Sequence, residues 1–520
     1  MQKLPVGIQD FRKIRKNNYL YIDKTRYVYE LASQSGYYFL SRPRRFGKSL
    51  LVSTLKELFR GSKELFEGLW IEDRWDWEKT NPVLHIPFSS LGYKSLGLEK
   101  ALHEFLDDFI REHELDVDEE ALELKFRELL HSLSAKKGRV ALLIDEYDKP
   151  IIDFLGKEIA QAQENQQVLK KFYSVIKDSD PSLRMVFITG VSKFSRVSIF
   201  SDLNNLNDLS LQDFIADTML GYTQEELEHY FKEHIPFVAD YHKISTEDLL
   251  EKVKNWYNGY SWNGRDFLYN PFSILNFFQK AIFRNYWFAT ATPTFLINLI
   301  KEKQYYNFDN IKVGDAFFEA FQIDNDISVG TLLFQTGYLT IKEYDAESEL
   351  YTLAYPNREV KKSMLEHLLG AFAKLEPGRG SKPVQDARRA LQTEDLELLK
   401  NTLNRILYNI PYQLYEDKER LYHLLIHIFF DYIGLDIHSE VNTARGRIDV
   451  LVELDDKVYA IEFKIDQSAQ EALNQIKERG YLDKYRASGK KLIALGINFS
   501  TEKREVEEFA VEVVKSGKAV

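Results

Sequence analysis

A short basic loop carries the first residues with recognisable chemistry. Residues 42–49 read Arg-Pro-Arg-Arg-Phe-Gly-Lys-Ser, the end of a phosphate-binding loop. In such a loop the lysine reaches the β- and γ-phosphates of a nucleotide and the serine hydroxyl binds Mg²⁺. Backbone N–H groups at the start of the next helix also favour an anion. Nucleotide contact is therefore predicted for Arg44, Arg45, Phe46, Gly47, Lys48, Ser49 and Leu50, with Ser49 also a metal ligand.

The loop departs from the usual pattern at its first position, where Arg42 replaces a glycine. A glycine there would allow an unusual backbone angle at the tight turn, so Pro43 and the arginines are expected to shape the loop instead. The flanking pattern favours a nucleotide site over a basic turn before an amphipathic helix. A strand is predicted at residues 37–40, and a helix follows from the spacing of Leu51, Leu55, Leu58 and Phe59.

Acidic residues follow a second apolar run, residues 142–144, about a hundred residues later. Asp145 ends this run and is predicted to hold Mg²⁺, usually through its waters. Glu146 is predicted to polarise the water that attacks the phosphate. Asp148 either supports these two carboxylates or is solvated, and the interpretation favours a solvated side chain.

Hydroxyl groups end a third apolar run, residues 185–189. A polar residue at this position can sense the γ-phosphate or orient a water, and Thr189 is predicted to contact the nucleotide on this ground. Ser192 qualifies equally by position. The alternative for both residues is that they are ordinary hydroxyls at the end of a strand, without a role in nucleotide binding. Arg196 is a candidate to reach the nucleotide of a second copy.

Asp449, Glu462 and Lys464 form a different pattern near the C-terminus. Alternation along a strand places Glu462 and Lys464 on one face, and Asp449 is expected to meet them across a hairpin turned at residues 455–456. The two carboxylates would hold a divalent metal, and the lysine would stabilise charge developing on a phosphate. The alternative is a solvated face of an edge hairpin. An active site is favoured by the neighbouring residues Gly446, Arg447, Gln475 and Tyr481.

Two further groups resemble sites but are interpreted as structural. His423 and His427 have the helical spacing of paired zinc ligands, yet no third ligand is in sight among the apolar residues around them. The aromatic block at residues 256–262 could stack bases, but a packed turn between helices is favoured.

The elements that position the first site alternate between strand and helix from residue 1 to about residue 215. Nearly continuous apolar runs at residues 140–144 and 185–189 suit strands buried on both faces of a parallel sheet. Another strand is predicted at residues 83–88, and a long amphipathic helical stretch at residues 98–133. The pattern predicts a three-layer α/β domain over residues 1–215.

Residues 216–374 are predicted to form a helical domain that resembles a winged-helix unit. A capping box at Thr223 and Glu226 opens one helix. Gly337 ends another helix before a hairpin that includes residues 338–341 and 350–353. Such wings bind DNA or pack on a nucleotide domain, and this one is not assigned to DNA.

Residues 375–520 are predicted to contain a linker, helices and a C-terminal α/β domain. Residues 375–387 combine prolines and glycines with few apolar side chains, which is typical of a linker. Helices follow to about residue 432. Strands are predicted at residues 448–454, 458–463 and 492–499.

Composition excludes several classes of protein. The 520 residues have a net charge of −11, so any nucleic acid must be bound in a local basic groove. The absence of cysteine excludes disulfides and thiolate zinc sites and fits a reducing cytoplasm. No signal-peptide core or membrane-length apolar run is present. A cytoplasmic protein without a membrane partner is expected.

In their order, these motifs resemble a bacterial family that joins an N-terminal AAA-ATPase-like domain to a C-terminal PD-(D/E)XK nuclease-superfamily domain. The resemblance rests on residues 21–25, 42–50, 143–148, 256–260, 269–271, 355–357 and 446–464. It implies an ASCE-type P-loop ATPase that uses ATP and Mg²⁺, and a restriction-endonuclease-like α/β fold. The implied ATP-site residues are Lys48, Ser49, Asp145 and the catalytic Glu146. The implied nuclease residues are Asp449, Glu462 and Lys464, with Glu440 and Gln475 as auxiliary positions.

The main functional hypothesis is an ATP-binding and hydrolysing protein coupled to a Mg²⁺-dependent nuclease. DNA is favoured over RNA as its substrate, with defence or mobile-element handling as a plausible setting. One alternative is a nucleotide-operated switch or scaffold whose nuclease-like domain binds a partner without cutting. Another is an intact nuclease whose ATPase domain only binds ATP. Assembly into a homo-oligomer stays open.

Overall fold

The structure, a computed structural model, describes residues 1–156, 158–193, 200, 203, 205–287, 294–303, 308, 310–318, 328–372, 381–408, 428–430, 432–433, 442–443, 446–447 and 449–514. Within these ranges, no helix has the combination of length and apolar composition that a membrane crossing requires. The chain divides after Val360 into two compact units, Met1–Val360 and Lys361–Val520. The finer boundaries after residues 215 and 374 stay predictions.

A five-stranded parallel sheet forms the centre of the first unit, in the order β2-β3-β4-β1-β5. Its strands are β1 (Tyr37–Ser41), β2 (Val83–Pro87), β3 (Val140–Asp145), β4 (Leu183–Gly190) and β5 (Leu206–Asp208). Strands β1 and β3 are buried throughout, which accounts for their continuous apolar sequences. The sheet confirms the α/β class predicted for this region. The three-residue β5 is too short for the sequence pattern to reveal.

Eight α-helices accompany this sheet in the described part of residues 1–174, which leaves out residue 157. They are α1 (Phe11–Lys16), α2 (Thr25–Ser33), α3 (Lys48–Phe59), α4 (Tyr93–Leu96), α5 (Leu98–His113), α6 (Leu122–Lys137), α7 (Lys149–Ile152) and α8 (Ile159–Ser174). The continuous helical stretch predicted at residues 98–133 is wrong, because α5 and α6 are separate. Helix α5 ends where Glu114 takes a left-handed φ of 50°. The mostly acidic residues 116–120 then disfavour further helix by mutual repulsion.

Helices and a small antiparallel sheet follow β5 in the chain. They are α9 (Gln224–Tyr230), α10 (His234–His242), α11 (Thr246–Tyr257), α12 (Pro271–Lys280), α13 (Thr294–Glu302), β6 (Ile311–Val313), α14 (Val329–Thr336), β7 (Thr340–Asp345), β8 (Leu350–Ala354) and α15 (Arg358–Phe372). The predicted capping box opens α9, with Glu226 N donating to Thr223 Oγ1 at 3.1 Å. Helix α14 ends at Gly337. The hairpin of β7 and β8 is confirmed, and β6 adds a third strand to it.

A mixed sheet in the order β11-β12-β13-β14 forms the centre of the second unit. The described elements are α16 (Ser381–Thr393), α17 (Leu396–Leu407), β9 (Asn442–Thr443), β10 (Gly446–Arg447), β11 (Val450–Glu453), β12 (Lys457–Ile465), α18 (Ala469–Arg479), β13 (Lys491–Ser500) and β14 (Glu505–Val514). Strands β12 and β13 are parallel, and the other pairs are antiparallel. The α/β class predicted here is confirmed. The linker prediction is wrong from Ser381 onward, because α16 begins there and Pro383 falls in its first turn, where proline is tolerated.

Candidate active sites

The backbone of the basic loop has its unusual angles at Arg45 and Gly47, not at Arg42. Arg45 has a φ of 67° and Gly47 a φ of 98°, whereas Arg42 does not take a left-handed angle. Gly47 caps the N-terminus of α3, where free N–H groups favour an anion. Position 42 therefore does not need the backbone freedom of the glycine that Arg42 replaces.

The side chain of Arg42 is an internal anchor, with 1% of its surface exposed. Its guanidinium donates hydrogen bonds to the carbonyl oxygens of Ser41 (2.9 Å), Ser210 (2.8 Å) and Ala216 (2.9 Å). It also lies 4.1 Å from the ring centre of Trp262. Burial lowers the pKa of Arg42 to about 10, so the group stays charged near neutral pH. Its contacts fix the loop to residues distant in sequence.

The following loop residues are also held by aromatic partners. The guanidinium of Arg45 lies 4.7 Å from the ring centre of Phe272. Phe46 is buried and packs edge-on against Tyr260 and Trp262, with ring centres 4.9 and 5.2 Å apart. The aromatic block at residues 256–262 thus includes rings packed behind the loop, as its interpretation as a packed turn expected.

Lys48 is buried at the start of α3, and its ammonium group is turned into the loop. Nζ donates to the carbonyl oxygens of Arg42 at 2.8 Å and Pro43 at 3.0 Å. Burial lowers the pKa of Lys48, whereas Glu146 is the first of the carboxylates that oppose this shift. The ammonium group is thus held beside the loop N–H groups that would face a phosphate.

A cavity of about 400 Å³ opens against this loop. That volume is within the range of sites that hold small ligands and cofactors. Its lining combines polar or charged side chains, Arg44, Arg45, Lys48, Ser49, Glu146 and Lys149, with apolar ones that include Ile8, Ile22, Leu220, Phe272 and Leu275. Gly47 and Leu50 line it too. Charged and apolar surfaces in one cavity match the two chemical halves of a nucleotide.

Lys24 also contributes to this cavity, although its role was not predicted from the sequence. Lys24 lines the cavity, and its Nζ lies 2.6 Å from a carboxylate oxygen of Glu226 and 2.8 Å from the carbonyl oxygen of Thr218. Residues 21–25 do belong to the motifs that carry the family resemblance, which could have drawn attention to Lys24. No local sequence pattern, however, indicates a role for these residues.

Asp145, Glu146 and Thr189 meet at the carboxyl ends of β3 and β4, which are neighbours in the sheet. Thr189 Oγ1 donates to Asp145 Oδ1 at 2.6 Å. Glu146 has a left-handed φ of 56° and lines the cavity. Burial, with the charge of Asp145 as a second cause, raises the pKa of Glu146. The hydroxyl of Thr189 thus orients Asp145.

The prediction that Asp148 is solvated is wrong, because the residue is 1% exposed. One of its carboxylate oxygens accepts from Val191 N at 2.9 Å and from Ser192 N and Oγ at 2.7 Å each. These bonds join the end of β3 to the turn after β4, which a sequence pattern alone does not reveal. Arg196 lies outside the described residues.

In the second unit, Asp449 and Glu462 face each other across the predicted hairpin. Val450 pairs with Ile461, which brings the residues beside them together. Phe463 N donates to Asp449 Oδ2 at 2.9 Å, and Asp449 N lies 3.4 Å from Glu462 Oε2. Burial, with the charge of Asp449 as the next cause, raises the pKa of Glu462.

Lys464 joins this pair through Gln475 on α18. Lys464 Nζ donates to Gln475 Oε1 at 2.7 Å, and Gln475 Nε2 donates to Glu462 Oε1. Helix α18 approaches the sheet closely at Gly496, where an added Cβ would lie 2.1 Å from the carbonyl oxygen of Ala469. The solvated edge hairpin is excluded as an alternative, because β12 lies between β11 and β13 and Glu462 is 3% exposed.

The donors at both sites fit a hard divalent cation. Magnesium takes one or two carboxylates, keeps several waters and binds substrate phosphate oxygens. Asp449 and Glu462 are two facing carboxylates in the second unit. In the first unit Ser49 offers a hydroxyl in the cavity, and Asp145 offers a carboxylate at the end of β3. Among the described residues there is no group of three or more His, Cys, Asp and Glu placed to hold a metal. Glu440, the implied auxiliary position, lies outside the described part of the chain, as do His423 and His427, which were interpreted as structural.

Comparison with known proteins identifies the families of two regions of the chain. Residues 5–200 match a family model described as a predicted AAA-ATPase, and residues 417–509 match the PD-(D/E)XK nuclease superfamily. The chain is 40% identical over 528 residues to a protein of Azotobacter chroococcum mcd 1, an uncharacterized protein in the vnfD 5' region, covering 98% of this chain and 99% of that protein. The chain therefore belongs to a family of proteins that join an AAA-ATPase-like domain to a PD-(D/E)XK nuclease-superfamily domain.

Proposed function

We propose that this protein binds and hydrolyses ATP in its first unit and cleaves phosphodiester bonds of nucleic acid, coupled to that cycle, in its second. The observation that carries the cleavage assignment is the contact of Glu462 with both Asp449 and Gln475, with Lys464 bonded to the same glutamine. Glu462 is buried, and a second carboxylate facing it repels it and so opposes folding, which favours a functional reason for the pair.

In the nucleotide site, the N–H groups at the start of α3 and Lys48 would bind the phosphates, and Ser49 and Asp145 would hold Mg²⁺. The ion would supply charge neutralisation on the phosphate oxygens. Glu146 would accept a proton from the attacking water. Its buried position raises its pKa, which makes it a stronger base than an exposed carboxylate.

In the cleavage site, Asp449 and Glu462 would hold the divalent cation, which would supply Lewis-acid polarisation of the phosphate. Lys464 would place a positive charge where negative charge develops on the phosphate during cleavage. The bond to Gln475 holds the ammonium group on the carboxylate side of β12. Phe463, the residue between the two catalytic positions, faces the other side and packs against Phe430, with ring centres 5.4 Å apart.

The proposal includes a cytoplasmic location, DNA ahead of RNA as substrate, and a role in defence or mobile-element handling. The net charge of −11 requires that contact with nucleic acid be confined to a local basic surface. Assembly into a homo-oligomer remains part of the proposal, as do the three predicted regions 1–215, 216–374 and 375–520.

Two variants separate ATP binding from hydrolysis. Glu146→Gln should bind ATP like the unmodified chain but hydrolyse it about 100-fold more slowly, because the base is lost. Lys48→Ala should bind ATP at least about tenfold more weakly, because a charged hydrogen-bond donor is removed. Titration calorimetry and phosphate release measure the two effects. Lys56→Ala, on the same helix but outside the cavity, is the control. Normal hydrolysis by Glu146→Gln would contradict the role given to Glu146.

Removal of divalent metal should abolish nucleic-acid cleavage, because the two carboxylates would lack the cation that engages the phosphate. End-labelled single- and double-stranded DNA and RNA are incubated with Mg²⁺ or Mn²⁺, and then with excess EDTA. Cleavage should fall to background and return when excess metal is restored. Circular dichroism with and without EDTA checks that the chain stays folded. Cleavage that persists in EDTA would contradict the metal assignment.

A further inference from the structure

We propose that the nucleotide-binding loop is shaped from outside by residues far along the chain, and that Trp287 is a positioning residue for ATP binding. The inference rests on the proposed nucleotide function of the loop. An ordinary loop of this type turns through the backbone freedom of its first glycine. Here Arg42 takes an ordinary angle and is anchored through its side chain, so the shape depends on partners outside the loop.

The loop fits closely against its partners at Pro43. A Cβ added at Gly337 would lie 2.6 Å from Pro43 Cβ, a distance that real Cβ atoms do not reach. Gly337 also has a φ of 91°, which a side chain would strain. Only glycine at the end of α14 therefore permits this approach, and it leaves Pro43 little room to move.

Trp287 contacts the loop at the peptide that precedes its strained residue. The indole Nε1 donates to the carbonyl oxygen of Arg44 at 3.0 Å. That carbonyl belongs to the peptide plane shared with the nitrogen of Arg45, whose φ is 67°. A left-handed angle costs free energy in a residue other than glycine. The indole N–H therefore stabilises the conformation that the loop sequence by itself disfavours.

Trp287 is itself held in place by a fully buried carboxylate. Glu359 Oε1 accepts from Trp287 N at 2.8 Å and from Tyr286 N at 2.5 Å, and its Oε2 accepts from Ser273 Oγ at 2.7 Å. The ring of Trp287 packs against Tyr338, with ring centres 5.2 Å apart. Backbone and ring are both constrained, so the indole donor is pre-positioned for the loop.

The expected consequence is a change in nucleotide affinity without a matching change in folding. If the loop adopts its binding shape for only a fraction of the time, the apparent affinity falls by that fraction. Linkage requires the reverse as well, so a bound nucleotide stabilises the contact between Trp287 and the loop. A purely structural tryptophan would affect stability alone.

The test is Trp287→Phe, which keeps an aromatic ring and removes the indole donor. A non-hydrolysable ATP analogue is titrated into the full chain by calorimetry at 25 °C, and unfolding without ligand is followed by circular dichroism. We expect a loss of affinity of about three- to tenfold, the worth of one hydrogen bond. We expect AMP, which lacks the β- and γ-phosphates, to lose less affinity in competition with the analogue.

Trp75→Phe is the matched control, because the indole nitrogen of Trp75 is buried without a hydrogen-bond partner among the described residues and does not line the cavity. Its affinity should stay within about twofold of the unmodified chain. Unchanged affinity in Trp287→Phe, or an equal loss in both variants, would overturn the inference. Failure of the unmodified chain to bind the analogue would instead remove the proposed nucleotide function on which the inference rests.

Discussion

Asp449→Asn should lower the rate of metal-dependent nucleic-acid cleavage by about a thousandfold, the rate equivalent of losing several kcal/mol of transition-state stabilisation. The substitution keeps the size of the side chain and removes the charge that would hold the cation. In the unmodified chain, Phe463 N donates to Asp449 Oδ2 at 2.9 Å, and in the variant this N–H would face the side-chain amide of the asparagine. Single-turnover cleavage of a labelled substrate in Mg²⁺ or Mn²⁺ measures the effect.

The matched control for that variant is Asp455→Asn. Asp455 lies at the exposed turn of the same hairpin, beyond the last residue of β11. Its variant should cleave at the unmodified rate. Both variants should retain ATP turnover, since the described residues that line the proposed nucleotide cavity all belong to the first unit. Cleavage by Asp449→Asn at the unmodified rate would remove Asp449 from the active site.

Arg42→Gly should lower the free energy of unfolding of the first unit by about 3 kcal/mol, although it restores the glycine of an ordinary phosphate-binding loop. The variant removes the Arg42 donor from the carbonyl oxygens of the buried residues Ser210 and Ala216, and it removes the group that lies against Trp262. Glycine does not compensate by relieving backbone strain, because φ at this position is not left-handed. ATP affinity should fall along with stability, because the loop loses its anchor.

Arg45→Gly provides the contrast within the same loop. Arg45 is exposed and has a φ of 67°, so glycine relieves backbone strain at the cost of the contact with Phe272. Stability should therefore change little. Urea unfolding followed by tryptophan fluorescence measures both variants, because all six tryptophans lie at or before residue 287, in the first unit. Equal effects of the two substitutions would contradict the anchoring role of Arg42.

Features of the molecule that depend on short-range patterns could be predicted from the amino-acid sequence. Buried strands show as continuous apolar runs, and the carboxylate of Asp145 follows one of them directly. Glu462 and Lys464 share a face because side chains alternate along a strand. Asp449 meets them because a tight hairpin joins strands only a few residues apart. Such relations are fixed within about twenty residues, so periodicity and turn residues suffice to predict them.

Tertiary structure alone decided how the unusual loop is held. Two of the three carbonyl acceptors for Arg42 lie 168 and 174 residues away in the sequence, and the indole that contacts Arg44 lies 243 residues away. The burial of Asp148 likewise depends on the turn that follows β4, 43 and 44 residues further on. No local pattern encodes these contacts, because packing selects partners by their position in space. The sequence predicted a phosphate-binding loop. Only the folded chain shows that Arg42, the first arginine of this loop, is buried and donates to backbone carbonyl oxygens of distant residues.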